Sequence, residues 1–148
     1  MIKNISNLGD AAVYCDFGSD VNEKINLIVI SYFNSLSKLV AENKIKGINN
    51  ITPSYNKLII SFDLSVTNYS DIRKKILDLN TNEKINNNHK KIKIPICCDD
   101  EFGLDFNRLS DKTKLSKKEI LDLYLNEEYF CYMTGFIAGM PFLGDINK

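Results

Sequence analysis

The chain has 148 residues, 44% of them hydrophobic, and its 19 basic and 19 acidic side chains cancel to a formal net charge of zero. That length fits one ordinary domain or two small ones, and the balance of charge gives no electrostatic case for nucleic acid or an anionic membrane surface. No apolar run approaches the roughly 20 residues needed to cross a bilayer, and the opening Met1-Ile2-Lys3-Asn4-Ile5 lacks the apolar core of a signal peptide, so a cytoplasmic protein is expected.

Residues 2–5 and 11–17 read as paired strands with Gly9-Asp10 between them. In the second, Val13, Cys15 and Phe17 share one face, and Ala12, Tyr14 and Asp16 the other. Asp20 and Glu23 form a capping box for a long helix. Its Ile25, Ile28, Val29, Tyr32, Phe33, Leu36, Leu39 and Val40 follow the three-four spacing of one buried face. After Gly47, residues 48–52 and 57–63 read as a second strand pair joined at Pro53-Ser54-Tyr55-Asn56, with Leu58, Ile60 and Phe62 on one face. Ser70 caps a second helix that buries Ile72, Ile76 and Leu79. With a strand at 91–97, the order is that of an α+β fold of ferredoxin-like, split βαβ type.

Asn80–Lys91 is rich in Asn and Lys, contains the single histidine, His89, and reads as a solvated linker. It places a domain boundary near 88, giving an N-terminal α/β domain at 1–88 and a second domain at 89–148. In the strand that follows, Ile92, Ile94 and Ile96 share a face, and Pro95 pushes it towards an edge or bulge. Asp99-Asp100-Glu101 reads as a solvated turn, since its spacing is not that of a calcium loop. Asp105 caps a short helix with Phe106 and Leu109. Ser116 with Glu119 makes a capping box, and Leu115 with Ile120 a hydrophobic staple, for a helix that turns Ile120, Leu123 and Tyr124 inward. Lysine outnumbers arginine 17 to 2, a bias of composition, because bidentate recognition of phosphate or carboxylate favours arginine. Cys15, Cys97, Cys98 and Cys131 show no metal-ligand spacing, so reduced thiols and no metal site are expected.

The last stretch, Tyr129 to Gly144, starts as a strand, with Tyr129, Cys131 and Met133 alternating against Phe130, Tyr132 and Thr134. It then breaks at Gly135, Gly139, Pro141 and Gly144, with large apolar residues between. Such a loop is either a buried crossover or a wall of a binding site or subunit interface. No phosphate loop, dinucleotide fingerprint, nucleophile elbow or internal repeat is present.

Together these pieces resemble the family of the 5-oxoprolinase B subunit, also described as allophanate-hydrolase subunit 1-like and including a sporulation histidine-kinase inhibitor. The matching residues are Gly9-Asp10-Ala11-Ala12; Pro53-Ser54-Tyr55 with Leu58 and Phe62-Asp63; Ile94-Pro95; Glu101-Phe102-Gly103-Leu104-Asp105; Leu115-Ser116 with Glu119; and Tyr129 through Gly144. The last block looks like the family's Gly-Phe-x-Pro-Gly-Phe-x-Tyr-Leu-Gly. It departs at Ala138 for proline, Met140 for phenylalanine and Phe142 for tyrosine, and Tyr124 stands where relatives carry histidine. The resemblance implies an N-terminal α/β domain followed by a cyclophilin-like β-barrel of the carboxyltransferase type. Relatives continue past the position of Lys148 with the rest of that barrel, so an incomplete barrel is expected here.

The resemblance further implies a hydrolase subunit that opens 5-oxo-L-proline to L-glutamate with ATP, in a complex with a carboxyltransferase-like partner subunit, the C subunit of the 5-oxoprolinase type. ATP would be used by the complex and no cofactor held by this chain, which alone would be inactive. The alternatives are a histidine-kinase inhibitor-like binding protein and a degenerate fragment without activity of its own. Candidate substrate- or partner-binding residues are Gly135, Phe136, Gly139, Pro141, Phe142, Gly144 and Tyr124, and self-association through the same loop is a further expectation. No catalytic residue is assigned.

Overall fold

Val13 and Cys15, with no exposed surface, face Ile60 and Leu58 across the middle of a four-stranded antiparallel sheet. The computed structural model describes residues 2–79 and 90–144. Its strands are β1 (Asn4–Asn7), β2 (Ala12–Asp16), β3 (Ile48–Pro53) and β4 (Lys57–Phe62), in the order β1-β2-β4-β3. Helices α1 (Glu23–Ala41) and α2 (Tyr69–Leu77) bury Val29, Leu36, Ile72 and Ile76 with the inward residues of β2 and β4 in one core. Period-two alternation in the strands and the three-four stripe of α1 thus meet on a single apolar layer. β2 and β3 are linked through α1 and separated by β4, which is the split βαβ arrangement expected.

Three local expectations need correction. The cap of α1 is Asn22, whose Oδ1 accepts from the Ile25 amide at 3.0 Å, and the cap of α2 is Asn68, accepting from Asp71 at 3.0 Å. Both replace the expected Asp20 and Ser70, because the chain reaches helical geometry only after residue 22 and already by residue 69. Residues 91–97 form no strand. Pro95 withholds a ladder donor, Ile92, Ile94 and Ile96 are exposed, and the sheet edge beside β2 is already occupied by β1. Gly47, at φ +80°, is required where it stands, since a Cβ there would meet Thr67 Cγ2 at 2.8 Å.

Contacts divide the chain into Met1–Asn87 with Phe130–Lys148, and Asn88–Tyr129. The sequence grouped 89–148 as one domain. In the structure the hairpin of β5 (Phe130–Thr134) and β6 (Pro141–Gly144) goes with the N-terminal unit instead, because Tyr132 is buried there. The linker expected at 80–91, with His89, falls outside the described residues over 80–89.

The unit Asn88–Tyr129 holds α3 (Phe106–Thr113) and α4 (Lys117–Leu125). The capping box of α4 is formed: the Glu119 amide donates to Ser116 Oγ, and the Ser116 amide donates to Glu119 Oε2 at 2.8 Å. Asp105 stands at the cap of α3 without a capping hydrogen bond and pairs with Arg108 at 3.1 Å instead. Asp99–Glu101 opens a turn in which Phe102 donates to the Asp99 carbonyl at 3.0 Å, and Asp100 is engaged by Lys117. The inward face expected for α4 is only partly inward: Ile120 is half-buried, but Leu123 is 62% and Tyr124 43% exposed. Its neighbour in this unit, α3, is short and mostly polar and cannot cover it. No helix among the described residues is long and apolar enough to cross a membrane.

Candidate functional site

Asn26 lies one turn inside α1, on the stripe it shares with Val29 and Leu36, and is 1% exposed. Its Nδ2 lies 3.1 Å from the carbonyl oxygen of Ser54, 3.0 Å from that of Tyr55 and 3.0 Å from that of Tyr132, so its two hydrogens are shared among three acceptors. The first two belong to the β3–β4 turn, which closes as the Ser54 amide donates to the Lys57 carbonyl at 2.9 Å. The third belongs to β5. An apolar residue at position 26 would bury those carbonyls without this donor, so a polar side chain on an apolar stripe is what the site needs.

Aromatic rings complete the seat. Tyr132 lies 5.3 Å from Tyr55 and 4.9 Å from Phe130, and Phe142 meets Tyr55 edge-on at 6.4 Å. Ser54 Oγ donates to Met133 Sδ at 3.3 Å. Pairing runs Cys131 with Leu143, then Met133 with Phe142, so Tyr132 is the extra residue of a bulge. A bulge re-aims one side chain, and here it turns Tyr132 into the core.

Beside the turn, Lys57 Nζ bonds Asp16 Oδ1 at 2.7 Å and the Gly18 carbonyl, and the Gly18 amide donates to the same Asp16 oxygen at 2.7 Å. The Lys57 hydrogen bond, then that of Gly18, holds the Asp16 carboxyl below the usual carboxylate range. Asn56, buried, donates to the carbonyls of Gly18 at 2.8 Å and Asp20 at 3.0 Å. These groups tie the approach to α1 onto the turn. A carboxylate held low and already engaged is an acceptor that fixes geometry, not a base poised near neutrality.

Of the seven candidate residues, six share the hairpin. Gly135, Phe136 and Gly139 form its loop, closed by the Gly135 amide on the Met140 carbonyl at 3.1 Å. Phe136 is 90% exposed and sits at φ 63°. Pro141, Phe142 and Gly144 lie on β6, where Phe142 is half-buried and a Cβ on Gly144 would meet the Tyr132 ring at 3.1 Å. Tyr124 belongs to the other unit, with its ring 5.4 Å from that of Tyr129, whose hydroxyl donates to the Tyr124 carbonyl at 2.9 Å. The strand end of this final stretch is buried through Tyr132, and its loop is open to solvent. Among the described residues, no group of three or more His, Cys, Asp or Glu could hold a metal ion.

Residues 3–148 match the family described as carboxyltransferase domain, subdomain C and D. The chain belongs to that family. It is 28% identical over 160 residues to the B subunit of 5-oxoprolinase from Bacillus subtilis (strain 168), an alignment covering 97% of this chain and 63% of that protein. The chain thus spans less than two thirds of that relative's length. The solved structure of TTHA0988 shares its fold, with a TM-score of 0.75 at 21% identity, over 92% of this chain and 26% of the other.

Within this carboxyltransferase-domain chain, Asn26, Lys57 and Tyr132 were not among the candidates drawn from sequence. A usable signal exists for Asn26 alone: it is the one amide on a stripe otherwise occupied by Val29, Phe33 and Leu36. The bulge that singles out Tyr132 leaves no mark in the alternation of β5.

Proposed function

We propose that the chain acts as the B-type component of an ATP-dependent 5-oxoprolinase, which opens 5-oxo-L-proline to L-glutamate with a carboxyltransferase-like partner subunit in the cytoplasm. The observation that carries this reading is the similarity to the 5-oxoprolinase B subunit along 97% of the chain. The exposed loop around Phe136, held out from a seated hairpin, supports a role within a complex, because an exposed apolar group suits contact with another protein. On this reading Gly135, Phe136, Gly139, Pro141, Phe142 and Gly144 face the partner or the substrate, while ATP is handled elsewhere in the complex.

Reconstitution tests it. The purified chain, alone and mixed with the carboxyltransferase-like partner and the third component, is given 5-oxoproline and ATP, and glutamate release is followed. Release is expected only in the mixture containing this chain, and none from the chain alone. Turnover by the chain alone, or a mixture indifferent to its presence, would sink the proposal.

A further inference from the structure

We infer that Asn26 is the latch of the β5–β6 hairpin: its amide, gathered onto the carbonyls of Ser54, Tyr55 and Tyr132, positions the hairpin as a strap that opens independently of the four-stranded sheet. The inference does not depend on the reaction proposed above. Among the described residues, β5 and β6 pair with each other and with no strand of that sheet, so no backbone ladder makes the two one body. Among the contacts that join them are the Asn26 amide on the Tyr132 carbonyl, the Tyr55 ring against Tyr132 and Phe142, and Ser54 Oγ on Met133 Sδ.

Asn26 reaches the hairpin at its bulge. A bulge disrupts the ladder locally, and at this one the Tyr132 carbonyl accepts from the Asn26 amide, 106 positions away in the chain. The same nitrogen serves the β3–β4 turn, so losing it loosens both sides of the seat. A two-stranded hairpin is marginal by itself in water, so once unseated it frays and its amides exchange. Tyr132 is the fully buried side chain of the hairpin, Phe142 is half-buried beside it and the loop is exposed, so what opening uncovers is the aromatic seat.

Hydrogen exchange on the full chain tests this, read by mass spectrometry for wild type and Asn26→Leu, which keeps nearly the same volume but offers no donor. Amides of β5 and β6 are expected to exchange about tenfold or more faster, with those of β2 and β4 within about twofold of wild type. Sheet and hairpin accelerating together, or neither accelerating, overturns the proposal. If the variant does not fold, wild type still decides. In rising sub-denaturing urea the hairpin amides should exchange through an opening with weaker urea dependence than the sheet amides, and one shared dependence overturns the latch.

Discussion

Cys15 sits mid-strand in β2 with no exposed surface, and burial pushes its thiol from 9.0 up to about 12. Below pH 9 the thiol is protonated in both folded and unfolded chains and contributes nothing to the pH dependence of stability. Above it the unfolded chain releases a proton that the folded chain keeps, so stability falls as pH rises, by about 1.4 kcal/mol per pH unit until the folded thiol ionises. Urea midpoints for wild type and Cys15→Ala at about pH 8 and about pH 10 should show the variant losing less over that interval. Equal losses would mean the thiol is not held neutral. Cys97 and Cys131, both exposed, should be alkylated in the native protein well before Cys15. The burial of Cys15 was legible in sequence, because it alternates with Tyr14 and Asp16 between Val13 and Phe17. That of Asn26 left only one mark, its place on the apolar stripe of α1: composition puts asparagine at surfaces, and it is the carbonyls of Ser54, Tyr55 and Tyr132 converging on it that make it a core residue.

At the scale of elements, strong periodicity survived and local punctuation did not. The eight apolar positions of α1 and the alternation of β4 reported the core face correctly, since each pattern is summed over many residues. Caps rest on one residue, and neighbouring Asp20 and Asn22, or Asn68 and Ser70, are chemically equivalent candidates. Asn22→Ala and Asn68→Ala should each cost about 1 kcal/mol, read from urea denaturation, whereas Asp20→Ala and Ser70→Ala should stay within about 0.5 kcal/mol. The reverse ranking would reassign both helix starts. The isoleucine alternation at 92, 94 and 96 failed for a different reason: alternation describes a face that could be buried, and a strand also needs a neighbour to bond with.

For the whole molecule the informative residue is Phe136. A phenylalanine at φ 63° occupies backbone space that glycine or asparagine enters more easily, and at 90% exposure it gains almost nothing from burial. Neither folding term accounts for its presence, and Ile137 and Met140 are exposed beside it, so a contribution in an assembled state is the expectation to test. Phe142 differs, being half-buried against Tyr55, and so belongs to the hairpin's seat. The two should therefore separate. Phe136→Ser should leave thermal stability unchanged or slightly raised, while weakening self-association or partner capture measured by sedimentation. Phe142→Ser should destabilise the protein by about 1–3 kcal/mol and loosen the hairpin, because a seated ring is lost. If Phe136→Ser unfolds the chain, the loop is core and the interface reading is wrong. If it leaves stability, self-association and partner binding all at wild-type values, the exposed loop has no role in assembly and the strain at φ 63° is incidental.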